Sequence, residues 1–434
     1  MTLDRQIQRF ASHVGTPFYL YDVQAIRRNL RRIRDAFAAA YSHVDIAYSA
    51  KNCVIPAIIK VIEEFKPRYE VTSLGEMMLL ARMGISPARC IYTNIYKPPD
   101  AIEYAMRHGP ALLAVDSLCD LQRVSECAAR LRVRVPILVR VNPAIQMSDT
   151  VFASAVPWSK TGVQLAPNCS EGAIQVLEEA ASDDWLEVVG LHAHLGSQVT
   201  NLEYFERFSA SVIHAFHEFE RVYELSILDF GGGYPCTYDP SIQVPTVEAI
   251  AQAVVRDLGN GRTTPRLIVE TGRYVTGTAG SLVSRVVAVK QNPCVGRIAV
   301  VDASMYNHLL DAVLVHWYFS ARILCSDKPL ESTHIVGCTN DALDHLDPPV
   351  PGTCETCGHP EAPQRIRHLP RVETGDLVVI EGAGAYTTCF NSHYCLLPKP
   401  PVAILLESGG IEIAQRGETV EEVVEGILQG DTGV

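Results

Sequence analysis

The segment IAYSAKNC carries an apolar run into a lysine, Lys51. A lysine at the end of a strand can face a shared mouth, where desolvation and nearby cations lower its pKa for Schiff-base chemistry. The same residue in water is an ordinary charged side chain. Three downstream segments add weight to the first reading. DFGGGYP places Gly231, Gly232 and Gly233 after a strand, where backbone N–H groups either converge on an anion such as phosphate or make a tight turn. HAHLGSQ puts His192 and His194 on one strand face with Ser197 just beyond. Such a pair suggests a metal, but no third ligand follows at metal spacing, and an imidazole stacked on an aromatic ring explains it at least as well. VETGR sets Glu270 at a strand end with Arg273 close behind; a carboxylate there can keep a pyridine nitrogen protonated and make the ring an electron sink.

These residues need a scaffold that gathers strand ends. From about residue 25 to 275, short β-branched runs alternate with amphipathic helical patterns, beginning with Ile26, Leu30, Ile33 and Phe37 in VQAIRRNLRRIRDAFAAAY. Strand–helix alternation of this length predicts a (β/α)8 barrel, with a doubly wound open sheet as the competing arrangement. Polar residues recur just after the strands (Lys51, Ser73, Asn94, Arg140, His194, Gly231 and Glu270), which favours the barrel, whose strand ends share one face. After Arg273 the pattern changes to strands without regular helices, SLVSRVVAVKQ through IEIAQR, closed by a capped helix in ETVEEVVEGIL. A second, mainly β domain therefore covers 276–434, with a Pro- and Gly-rich inserted loop at 345–368.

Composition narrows the function. Lys plus Arg number 37 against 49 Asp plus Glu, a formal net charge of −12, so a nucleic-acid partner is not expected. No run approaches the length of a membrane span, and the charged N-terminus MTLDRQIQRFASHVG lacks a signal peptide's apolar core. An odd count of 13 cysteines without an export signal reads as reduced thiols and a cytoplasmic protein.

Lysine, glycine loop, histidine and carboxylate together meet the needs of pyridoxal 5'-phosphate (PLP). The sequence also resembles the fold-type III PLP-dependent decarboxylases, the group of diaminopimelate, ornithine and arginine decarboxylases. The matching pieces are YSAKN, EVTSLGE, RVNP, SKTGV, GLHAHLGSQ, DFGGGYP, ETGRYVTG, GDLVVIEGAGAYT and RGETVEEVVE, in family order over nearly the whole chain. The resemblance implies an alanine-racemase-like barrel over 25–275, and a C-terminal β-sandwich or β-barrel domain that also takes in residues 1–24 through TPFYLY. It implies that Lys51 binds the cofactor, His194 stacks on its ring and Glu270 pairs with the ring nitrogen. Ser197, Gly231–Gly233, Gly272 and Arg273 would hold the phosphate, Tyr386 would close over it, and Arg140 would meet the ring hydroxyl. It further implies a homodimer with shared sites and a small amino-acid substrate.

Two departures from the family stand out. The family carries a Cys followed by an acid, the Cys as proton donor and the acid reading the substrate's distal group. Here THIVG runs into GCTNDALD, which places Asn340 at the cysteine's position and Asp341 and Asp344 at the acidic ones. A rival alignment uses PGTCETC, with Cys354 and Glu355 as the pair; the first is preferred because it needs no gap. Asn cannot deliver a proton as a thiol can. Diaminopimelate decarboxylases carry an Arg-Pro after the VDAS-like strand, where this chain has Leu310 and Asp311. The expected reaction is thus decarboxylation of a basic or conjugated diamino acid, as in the siderophore and antibiotic-pathway members. The alternatives are diaminopimelate decarboxylation proper, or a PLP-binding homologue with impaired catalysis and a partner-binding role; a racemase fits the closing segments less well. No metal is required, but Cys338, Cys354, Cys357 and His359, with His345 nearby, are zinc candidates by spacing.

Overall fold

The computed structural model describes residues 2–109, 112–148, 150–166, 169, 171–363 and 365–429. The chain forms two compact units, Arg28–Cys236 with Gln243–Val275, and Met1–Arg27 with Thr237–Ile242 and Thr276–Val434. Nothing in the sequence pattern singles out Thr237–Ile242, which falls within the barrel run yet groups with the β unit.

Strand β1 (Phe18–Asp22) belongs to the β unit. The barrel strands are β2 (Val44–Ser49), β3 (Arg68–Val71), β4 (Cys90–Tyr92), β5 (Leu112–Val115) and β6 (Val135–Asn142), then β8 (Leu186–His192), β9 (Ile227–Asp229) and β10 (Arg266–Thr271). They pair in the order β5-β4-β3-β2-β10-β9-β8-β6, and a β5–β6 pairing closes the cylinder; the short β7 (Val163–Gln164) hangs on β6. Every pairing is parallel. Strands of a closed parallel sheet are covered on both faces, which is why runs such as LLAV are buried at every position rather than at alternate ones. Ala47, Ile91, Leu112, Ala114, Leu138 and Ile268 pack as one cluster drawn from five of these strands. The helices start where their sequences say they should. Ser73 Oγ accepts the Glu76 N–H at 3.1 Å while Glu76 reaches back to the Thr72 N–H at 2.7 Å. Ile26, Leu30, Ile33 and Phe37 are all buried, as their spacing implies.

The β unit is built on β11 (Gly280–Asn292), β12 (Gly296–Val301), β13 (Ala321–Ile323), β14 (Leu330–Val336), β15 (Pro349–Pro351), β16 (Glu361–Pro363), β17 (Arg367–Pro370), β18 (Leu377–Glu381), β19 (Val402–Leu405) and β20 (Ile411–Gln415). Its main sheet runs β17-β14-β12-β11-β1-β19-β20, with β18 joined to β11 and β13. The TPFYLY strand thus sits inside this sheet, between β11 and β19. The charged N-terminal segment, in which the sequence pattern shows no apolar run, forms a helix over Leu3–Val14. Its Ile7 and Ala11, one turn apart, join Phe18, Val283 and Val379 in the unit's core. A capping box between Thr419 and Glu422 starts the last helix, Val420–Leu428. The inserted loop is a two-stranded pairing of β15 with β16, and Cys354 is the only buried residue in 351–361. Among the described residues no helix is long and apolar enough to cross a membrane.

Candidate active site

The C-terminal ends of the barrel strands surround a cavity of about 220 Å³ lined by Lys51, Glu70, Arg140, Lys160, His194 and Glu270 among others. Lys51 sits in the single turn Ala50–Asn52 that follows β2. Its Nζ lies 2.5 Å from Glu70 Oε2, and Glu70 is wholly buried on β3. Thr93 Oγ1, just past β4, donates to Glu70 Oε1 at 2.6 Å. Arg140, on β6, is fixed by the Thr93 carbonyl at 3.2 Å and by Asp116 at 3.6 Å. The other oxygen-bearing contact of Asp116 explains the SKTGV motif, since the Gly162 N–H donates to Asp116 Oδ2 at 3.1 Å and sets Lys160 and Thr161 on the cavity wall.

On the opposite arc lies a buried cluster of His192, Asp229 and Glu270. His192 Nε2 is 3.4 Å from Glu270 Oε1, and His194 Nδ1 is 3.6 Å from Glu270 Oε2. Burial opposes charge on Glu270, but the two histidines outweigh it and hold its pKa well below the ordinary carboxylate range. Burial pushes the His192 pKa down, and burial together with the Glu270 charge pushes the Asp229 pKa well up. Glu270 Oε1 and both ring nitrogens of His192 are buried without a hydrogen-bond partner. Such orphaned atoms are costly unless something is meant to occupy the mouth beside them.

The glycine loop follows β9. Gly231 has φ 59°, and a Cβ there would stand 2.5 Å from His194 Nδ1 and 2.6 Å from the Ala193 carbonyl, so only glycine fits. Two of its N–H groups turn inward: Gly231 donates to Asp229 Oδ1 and Gly232 to His194 Nδ1, each at 2.9 Å. In this arrangement the close approach to Asp229 and His194 engages the Gly231 and Gly232 donors. Arg273 is buried and its Nε donates to Ser197 Oγ at 3.1 Å, which leaves a hydroxyl and a guanidinium together at the strand ends. Gly272 precedes the short helix Arg273–Thr276, and a Cβ on it would meet Asn52 Cβ at 2.8 Å. The Gln198 side chain brackets this region, donating to the Cys236 carbonyl at 2.6 Å and accepting its N–H at 3.0 Å.

A family profile described as pyridoxal-dependent decarboxylase, pyridoxal binding domain, matches residues 23–277. This chain belongs to that family. Diaminopimelate decarboxylase from Methanothermobacter thermautotrophicus is 29% identical over 427 residues, covering 96% of this chain and 92% of that one. The crystal structure of diaminopimelate decarboxylase from Helicobacter pylori complexed with L-lysine superposes with a TM-score of 0.86 at 24% identity, over 98% of this chain and 100% of that one. Lysine/ornithine decarboxylase from Vibrio vulnificus, complexed with putrescine, superposes with a TM-score of 0.72 at 21% identity, over 90% of this chain and 95% of that one.

This decarboxylase uses PLP to remove CO2 from an amino acid. The mouth fits the cofactor: a lysine for its aldehyde, an ionised buried carboxylate with an orphaned oxygen for its ring nitrogen, and Ser197 with Arg273 for its phosphate. When bound, PLP supplies an electrophilic carbon for the substrate amine and a protonated ring that takes up the electron pair left by CO2. The protein's own part is electrostatic. Glu270, whose pKa the two histidines lower, would pair with the ring nitrogen of the bound cofactor and favour its protonated form. Glu70, fixed by Thr93, holds the Lys51 side chain in place at the mouth. Arg140, clamped by Asp116, adds a fixed cation to the wall.

The remaining sequence candidates lie in the β unit of the decarboxylase. GCTNDALD follows β14 directly and folds into a closed loop, with the Gly337 N–H donating to the Asp344 carbonyl at 2.7 Å. Asn340 is exposed on it. Asp341 accepts the Leu343 N–H at 2.9 Å and the Tyr394 hydroxyl at 3.0 Å, and these donors hold it below the ordinary carboxylate range. Asp344 does not face outward as a substrate contact would: it is buried, with one oxygen on the Met305 N–H at 2.6 Å and the other on Thr339. These hydrogen bonds to its carboxyl close the loop. Glu355 is exposed beside buried Cys354, and Tyr386 stands after β18 with φ 60°. The zinc candidates do not assemble as spacing suggested. Cys354 and Cys357 meet Cys294 from the β11–β12 turn, without Cys338 or His359. Cys338 instead follows β14, the His359 ring accepts the Glu361 N–H at 3.1 Å, and His345 pairs with His334.

Sequence reading passed over Glu70, Thr93, Asp116, Asp229 and Gln198 as site residues. A lone carboxylate inside the apolar strand RYEV was the available signal for Glu70; Gln198 gave none, because its role comes from the backbone of a distant loop.

Proposed function

We propose that the decarboxylase acts on a basic amino acid of the lysine and ornithine class, as a homodimer in which the 337–344 loop of one subunit faces the barrel mouth of the other. Asp341 carries this reading. It is an ionised carboxylate on an exposed loop, beside the aromatic pair Tyr306 and Tyr394 with ring centroids 5.3 Å apart, a setting that suits a distal ammonium. The second reading is diaminopimelate, favoured by the name of the relative quoted above. Against it stand Leu310 and buried Asp311, where the family's carboxylate-gripping Arg-Pro would lie; a buried acid repels a second carboxylate. An odd count of 13 cysteines supports a reducing, cytoplasmic setting.

The test is steady-state CO2 release from lysine, ornithine, arginine, meso-diaminopimelate and citrate-conjugated diamino acids, by wild type and Asp341→Asn. Basic amino acids should be preferred, and the variant should raise their KM about 10–100-fold with kcat kept, as loss of a charge-assisted contact does. Preferred turnover of diaminopimelate or a conjugate, or a KM indifferent to the substitution, contradicts the assignment.

A further inference from the structure

The inserted loop has no core of its own. Two three-residue strands, β15 and β16, pair with each other alone, which is marginal in water, and the segment between them buries a single side chain, Cys354. Small elements of this kind are held by a cross-link or a metal. The loop Cys354–Gly358 has the form of a metal knuckle. Gly358 takes φ 73° and its N–H returns to the Cys354 carbonyl at 2.8 Å, while the Cys354 N–H donates to the His359 carbonyl at 2.8 Å. The N–H groups of Thr356 and Cys357 are directed at the Cys354 sulfur. A second turn, between β11 and β12, brings Cys294 to the same place. Asn292 Oδ1 accepts the Cys294 N–H at 2.8 Å, and Gly296 at φ 77° completes that turn. The three sulfurs lie within 4.8 Å of one another.

We infer that Cys294, Cys354 and Cys357 bind a zinc ion that pins the inserted loop to the β11–β12 turn. Tetrahedral zinc with Zn–S bonds of about 2.3 Å spaces its sulfurs by about 3.8 Å, and the three sulfurs here lie within 4.8 Å of one another. Three thiols suit a soft divalent ion; a disulfide uses two of them and leaves the third stranded beside it. Neither Cys338 nor His359 belongs to the site.

The experiment is metal analysis of the full-length holoenzyme purified without chelator, alongside Cys294→Ser, Cys357→Ser, Cys338→Ser and His359→Ala. About one zinc per chain is expected in wild type, Cys338→Ser and His359→Ala, falling at least about tenfold in the other two. Zinc persisting in Cys294→Ser or Cys357→Ser overturns the assignment. So does wild-type protein without metal whose three thiols alkylate freely or form a disulfide. Should the serine variants not fold, cobalt exchanged into wild type decides: intense thiolate-to-cobalt absorption supports the site, and its absence refutes it.

Discussion

The barrel mouth and the loops after β14 make opposite use of charged side chains. In the mouth each ionisable group is set by a neighbour from another strand: Lys51 by Glu70, Glu70 by Thr93, Arg140 by Asp116, and Glu270 by His192 and His194. Most of these groups are buried, so removing one leaves its partner stranded at high cost. In the β unit, Asp344 is spent on folding its own loop, whereas Asn340 is exposed and Asp341 meets its donors at the surface. Closed strand ends can hold a fixed electrostatic pattern for the cofactor, while a surface loop can change its acid and its proton donor without disturbing the barrel. On the proposed reading, bond-breaking power belongs to the mouth and selectivity to the loop.

The sharpest way to break that division is Lys51→Ala. It should abolish the visible absorbance of bound cofactor and lower kcat by at least about 1,000-fold, with the fold kept. Retained absorbance would place the cofactor elsewhere. Next is Glu270→Gln, which should lower kcat by about 100–1,000-fold while cofactor still binds, since only the charge facing the ring nitrogen is lost. An unchanged kcat would remove Glu270 from the chemistry.

A smaller effect tests the charge pattern by pH. Burial and the Glu270 charge raise the Asp229 pKa in the folded barrel well above its value of 3.8 in the unfolded chain. Its contribution to stability is therefore complete below that value and fades as pH rises toward the folded pKa. Asp229→Asn mimics the protonated form. At saturating cofactor it should match wild type near pH 4 within about 1 kcal/mol and exceed it at higher pH, removing up to about 1.4 kcal/mol per pH unit of slope. Glu270, with its pKa lowered from 4.5, contributes with the opposite sign, and its loss lies on the acid side of that window. Parallel urea-unfolding curves across pH would refute the protonated Asp229. The mildest change is Asn340→Cys, which should raise the ratio of amine to aldehyde product several-fold by supplying a proton donor, with little effect on CO2 release. An unaltered ratio would put proton delivery elsewhere.

Much of the mouth was legible because strand-end polarity survives translation into one dimension: Lys51, Arg140, His194 and Glu270 all follow or end apolar runs, and all line the cavity. The barrel itself followed from alternation, and the β unit from its loss. What stayed hidden depends on chain segments far apart in sequence. Gly231 and Gly232 look like anion donors until Asp229 and His194 are seen to claim their N–H groups. Asp344 looks like a substrate contact until Met305 and Thr339 close on it. Cys357 looked to His359 for company because the two are neighbours in sequence, yet a turn in another hairpin brings Cys294 instead.

The central claim, that the strand-end lysine after β2 carries the cofactor, has a direct measurement. Borohydride reduction of the holoenzyme, followed by peptide mapping by mass spectrometry, should find the phosphopyridoxyl mass on Lys51 alone. The mass on Lys160, which also lines the cavity, or on Lys97, buried against Asp120 at 2.6 Å, would contradict the account.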